Sequence, residues 1–238
     1  MMALAFGALC VSFAAIFVKW LGRDVLGPTA IGFWRTLIGA IILFIWVLLK
    51  GDSLRMPRSI VRLSILAGFL FYLDLFFWHR SIIYSGAGMA TILANTQVFG
   101  VAVMGLLLFK EKLSAAFIVA AAAAFVGVVL LVGIGSDVEF TRVYINGVLF
   151  GLATGIVYGM YIITLKTAGH KEECPSFLTM MAWISLFISV FCGVSMLIES
   201  DPYVPPDLSS VLILVALAVV VQAVGWYVIS RTLPKLRA

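Results

Sequence analysis

Two charges stand where apolar sequence would otherwise run unbroken. Arg35 lies in PTAIGFWRTLIGAII and Asp74 in LFYLDLFFW. A charge held in hydrocarbon costs at least about 2.5 to 3.5 kcal/mol, so each needs a route to the interface, a partner or a polar cavity. All three readings of Arg35 stay open in the sequence. It can snorkel toward the interface along its aliphatic stem. It can pair with Asp74, or it can line the outer end of a cavity and bind a carboxylate or phosphate on a solute. Asp74 in turn can pair with Arg35 or take up a proton in a coupled cycle.

Uncharged groups join them as candidate substrate contacts. ANTQVFG brings the amides Asn95 and Gln97, which either bond across helices or face the same cavity. Further along, Tyr158, Tyr161, Gln222 and Trp226 offer aromatic walls and one more amide, which suits an amphipathic organic molecule. No zinc spacing and no nucleophile with a base at one depth is visible, so an intramembrane enzyme is disfavoured and neither metal nor cofactor is expected. Cys10, Cys174 and Cys192 are odd in number and give no disulfide framework.

The elements that position these groups follow from composition. The chain of 238 residues is 63% hydrophobic and 11% charged, with a mean hydropathy of +1.17, against about 25% charged residues in ordinary soluble domains. Apolar runs long enough to cross about 30 Å of hydrocarbon recur throughout, without the strict alternation of a barrel. Eight helical spans are predicted, at 3–20, 29–49, 63–78, 88–109, 115–133, 147–165, 177–198 and 208–229. The fold class is therefore an all-α polytopic membrane protein, and the lipid bilayer is its first partner. The N-terminal run lacks a basic n-region and reads as an uncleaved first span rather than a signal peptide.

Charge sets orientation. With the N-terminus inside, Lys50, Arg55, Arg58, Arg62, Lys110, Lys112, Lys166, Lys171, Arg231, Lys235 and Arg237 fall on the inner side, and only Lys19, Arg23, Arg80 and Arg142 on the outer. The positive-inside rule then places both termini in the cytoplasm. The net charge of +5 sits in connecting segments, which speaks for membrane orientation rather than nucleic-acid binding.

An internal repeat adds topology. Lys19 and Pro28 recur as Lys166 and Pro175, and RSIIYSGA from Arg80 lies over RTLPKLRA from Arg231. A unit of five spans is odd, so its copy enters the membrane inverted. This divides the chain into a first repeat at 1–134 and an incomplete second repeat at 135–238, with eight of an expected ten helices present, and the expectation is a fragment of a ten-helix protein. In the repeat register Arg35 falls opposite Ala182, so one copy alone carries the charge. Gly147, Gly151, Gly155 and Gly159 form a continuous face on the sixth span, which predicts close helix packing.

The stretches FVKWLGRDVLGPTAIGFWRTLIGAIIL and YLDLFFWHRSIIYSGAGMATILANTQVFGVAVMGLLLFKEKLS carry a pattern. A lysine ends the first span, an arginine sits inside the second, a loop of small residues leads into the fourth, and Glu111 closes it. This resembles the EamA-like drug/metabolite transporter superfamily. The resemblance implies an inverted-repeat transporter bundle in a bacterial inner membrane, without a covalent cofactor. It further implies export of small metabolites such as amino acids or xenobiotics, with Glu111 as a candidate gate contact. Where many relatives carry proline in the fourth span this chain has Gln97, so no kink is expected there. A homodimer stays open, and a non-transporting membrane subunit is the alternative function.

Overall fold

The computed structural model describes residues 2–109, 114–133, 139–169, 171, 174–200 and 202–232. The described residues are helical, in the order α1 (Met2–Ser12), α2 (Ala14–Val25), α3 (Pro28–Lys50), α4 (Arg58–Ser85), α5 (Ala87–Ala94), α6 (Gln97–Phe109), α7 (Ala115–Leu131), α8 (Arg142–Gly169), α9 (Phe177–Ile198), α10 (Leu208–Ala216), a wide-turn π segment (Leu217–Gly225) and α11 (Trp226–Thr232). Six stretches are long and apolar enough to cross a bilayer: Ala5–Gly22, Pro28–Lys50, Arg58–Ser85, Arg142–Gly169, Phe177–Ile198 and Leu208–Ile229. The fourth and fifth expected spans are shorter, at Ala87–Ala102 and Ala115–Leu131. The chain is a multi-pass membrane protein.

Local chemistry sets the ends. Pro28 opens α3, where a missing backbone donor costs nothing. Gly51 closes it with φ 71°, its N–H on Leu48 O and that of Asp52 on Val47 O. The hydroxyl of Ser176 caps α9 by accepting Thr179 N, and the carboxylate of Asp207 caps α10 by accepting Ser210 N at 2.7 Å. That bond holds the Asp207 carboxyl below the usual carboxylate range.

Two expectations change. Helix α4 is 28 residues long, so His79 and Arg80 lie within its last turns rather than in a connecting segment. The fourth span is broken at Asn95 and Thr96 although no proline is present. There Thr96, Val98 and Phe99 N–H groups reach back three residues instead of four, to Leu93, Asn95 and Thr96 carbonyls. Thr96 turns its hydroxyl onto Leu93 O at 2.6 Å. A side chain competing for the ladder breaks a helix as proline does.

Packing pairs α3 with α9 and α4 with α8, while α5 and α6 also lie against α8 and the π segment against α3. The glycine face of α8 is the seam. A Cβ on Gly147 would stand 2.9 Å from Ser85 N, and one on Gly151 2.7 Å from the Leu93 side chain. One on Gly155 would collide with the Thr96 hydroxyl, whereas Gly159 has ordinary contact at 3.6 Å from Val101. The seam is thus obligate over three glycines and relaxed at the fourth. The alanine-rich α7 presents no buried residue.

The bundle has two ends, named here for a residue at each. At the Glu199 end, Trp34 Nε1 on α3 donates to Tyr203 O at 2.8 Å, in the connection after α9. At the Lys50 end, Trp183 Nε1 on α9 donates to Leu54 O at 3.1 Å, in the connection after α3. Threonines near the helix starts repeat the reciprocity: Thr29 Oγ1 donates to Glu199 Oε1 and Thr179 Oγ1 to Ser53 O.

Candidate functional site

Arg35 is placed by the small-residue face of α3. Gly32 and Gly39 are buried on that face with it. A Cβ on Gly32 would stand 3.1 Å from Cys192 Sγ, and one on Gly39 2.6 Å from Gln222 Cγ, so neighbouring helices close over the arginine from both sides. It is 1% exposed. Its Nη2 donates to Gln222 Oε1 at 3.3 Å, and Gln222 Nε2 donates onward to Ser185 Oγ at 3.1 Å. Snorkelling is overturned: the guanidinium points into the bundle, because its hydrogen-bond acceptor lies there.

The remaining guanidinium nitrogens, Nε and Nη1, have no hydrogen-bond partner among the described residues. A buried donor left unpaired costs about 1 to 3 kcal/mol, and more when charged. The side chain lines a cavity of about 270 Å³ walled by α1, α2, α3, α4, α5, α6, α8, the π segment and α11. Asp74 lines the same cavity, 7% exposed. No direct ion pair joins the two; among the described residues the ion pair is Arg80 with Glu199.

Other candidates gather there. Asn95 and Gln97 line the cavity beside the helix break. Asn95 Nδ2 donates to Thr91 O at 2.9 Å in its own helix, not across to another one, while Gln97 Oε1 is buried without a partner. Tyr158 and Trp226 supply the aromatic wall. Tyr161 sits behind it at 2% exposure, its ring 4.7 Å from Phe71, which meets Trp226 edge-on at 4.9 Å. Gln222 does not line the cavity but stands behind Arg35. Gly147, Gly151, Gly155 and Gly159 pack helices, and the candidate gate Glu111 lies outside the described residues.

Sequence reasoning missed Thr154, Trp78 and Ser185. Thr154 lines the cavity at 1% exposure, and its buried hydroxyl has no hydrogen-bond partner among the described residues. Its only signal was its place beside Gly155 on the α8 seam. Ser185 gave none, since its role depends on Gln222 from another helix. Among the described residues no three His, Cys, Asp or Glu side chains converge to hold a metal. The cavity wall combines charged side chains at Arg35 and Asp74, amides at Asn95 and Gln97, a hydroxyl residue at Thr154 and the rings of Tyr158 and Trp226.

Residues 1–133 match the EamA-like transporter family. The chain belongs to that family. An uncharacterized transporter from Archaeoglobus fulgidus is 28% identical over 218 residues, which covers 89% of this chain and 73% of that protein. A solved crystal structure superposes with a TM-score of 0.71 at 21% identity, covering 98% of this chain and 78% of its own. That structure speaks for the EamA-type fold alone.

Proposed function

We propose that this EamA-family chain is a secondary carrier that exports small organic metabolites, such as amino acids or xenobiotics, by alternating access between two inverted halves. The observation that carries the reading is Arg35, buried at the wall of a polar and aromatic cavity with two donors unpaired. A carboxylate or phosphate on the solute supplies the missing acceptors, and the rings of Tyr158 and Trp226 take its apolar body. Reciprocal ties between α3, α9 and the connections following them support the two-halves reading. Lysine and arginine excess at the Lys50 end supports a cytoplasmic assignment for that end.

The test uses purified protein in proteoliposomes and three probes on one skeleton: tryptophan, indole-3-acetate and tryptamine. Flux is expected for the two carboxylates and not for tryptamine, and faster from the Lys50 end outward. Arg35→Ala, with insertion checked by gel filtration, is expected to lower that flux by about 10- to 100-fold, the weight of charge-assisted hydrogen bonds. Equal flux in the variant and the parent would sink the assignment. A membrane assembly partner is the second reading, favoured by the unburied face of α7; it predicts no flux with any probe.

A further inference from the structure

At the Glu199 end, groups the binding site does not use converge on one carboxylate. Arg80 Nη2 meets Glu199 Oε1 at 2.8 Å, with side-chain exposures of 11% and 22%. The same oxygen accepts from Thr29 Oγ1 at 2.9 Å and Ser195 Oγ at 3.2 Å. Arg80 is held in turn by Phe76 O at 3.0 Å and Thr29 Oγ1 at 3.1 Å, and its guanidinium lies 3.6 Å from the Phe76 ring centroid. Beyond Glu199, the connection between α9 and α10 forms a strap tied down by its carbonyls: Gly27 N donates to Pro202 O at 2.6 Å and Trp34 to Tyr203 O. Below it, His79 is fully buried and its Nδ1–H donates to Pro28 O at 2.8 Å, since a carbonyl can only accept.

These contacts join α3, α4 and the end of α9, about 9 Å along the helix axes from Arg35 and from Asp74. None of the residues that make these contacts lines the cavity, and the ties of Arg80 and Thr29 to Glu199, of Gly27 to Pro202 and of Trp34 to Tyr203 cross between elements that separate if the cavity opens at this end. We propose that Arg80 and Glu199 form a latch that closes the cavity toward the Glu199 end and breaks when that end opens. The inference rests on the carrier reading only in that the cavity opens at one end at a time. A latch of this kind sets a population: weakening it favours the state open at the Glu199 end at the expense of the state open at the Lys50 end.

The experiment reads accessibility, not flux. Ala94, on the cavity wall, is replaced by cysteine in a chain whose Cys10, Cys174 and Cys192 are alanine, and an impermeant maleimide is applied to sealed vesicles of either orientation. Glu199→Gln is expected to speed labelling from the Glu199 end by about tenfold or more and to slow it from the Lys50 end. Thr29→Val, which removes one hydroxyl and no charge, shifts both rates in the same senses by less, and serves if Glu199→Gln does not fold. Unchanged labelling from the Glu199 end overturns the latch, as does faster labelling from both ends, which means general loosening. Absence of flux with every probe in the parent chain, with the accessibility shift intact, counts against the solute assignment alone.

Discussion

The two ends of the bundle use the same fastening and differ in what is added to it. Each has a tryptophan on one long helix bonded to a carbonyl after the other, and each has a threonine reaching the same connection. At the Lys50 end the threonine meets a backbone carbonyl, and the charge nearby is Lys50, set over the Trp46 and Tyr227 rings at 5.4 and 5.9 Å. At the Glu199 end the threonine meets a carboxylate that also holds Arg80. A neutral hydrogen bond nets about 1 kcal/mol, and one to a charged group about 1.5 to 3. Similar geometry therefore yields unequal ends, with the charged fastening at the Glu199 end.

The inequality of the two ends is open to test by three pairs of substitutions. The α8 seam is tight near the Glu199 end and relaxed farther along, so Gly147→Ala should lower stability by about 2 kcal/mol through overpacking, while Gly159→Ala should change it little. Thermal unfolding in detergent decides this, and equal losses would mean the seam is uniform. Next, Trp34→Phe and Trp183→Phe each remove one neutral hydrogen bond and should each cost about 1 kcal/mol. A markedly larger loss for Trp34 would show that the strap and the ion pair are coupled, and that the two fastenings are not equivalent units.

The smallest effect concerns the caps. Asp207 caps α10 with a carboxylate held below its ordinary pKa, while Ser176 caps α9 with a hydroxyl. A depressed folded-state pKa stabilises above the unfolded value, about 3.9, and the contribution disappears as pH falls through the folded one. The stability difference between parent and Asp207→Ala should thus be full at neutral pH and close in acid. Ser176→Ala should show the same loss at both, as measured by melting temperature across the pH series.

Much of the architecture was legible because hydrocarbon imposes it. The order of the apolar helices and the glycine seam follow from apolar length and residue type, although among the described residues six of the eight expected spans reach bilayer length. What failed was orientation about helix axes. Arg35 meets Gln222 across 187 positions of sequence, and no periodicity says which face of the last span turns toward it. Thr154 lay hidden in a seam that reads as packing. The break at Asn95 and Thr96 carries neither proline nor glycine, and comes from a threonine hydroxyl bonding its own helix. Arg80 read as part of a loop because α4 continues past its apolar run, which ends near Trp78.

The π segment Leu217–Gly225 carries a consequence for which side chains of the last span face the cavity. A wide turn takes in an extra residue, so the helix after it is rotated relative to a regular α-helix with the same sequence. Gln222 within it reaches Arg35, and Trp226 immediately after it reaches the cavity. Were the same residues wound as a regular ladder, everything that follows would turn by about 100°. Trp226 and Ile229 would leave the cavity wall with their chemistry unaltered. At this place in the sequence the winding of the backbone, as much as the identity of the residues, decides which side chains face the cavity.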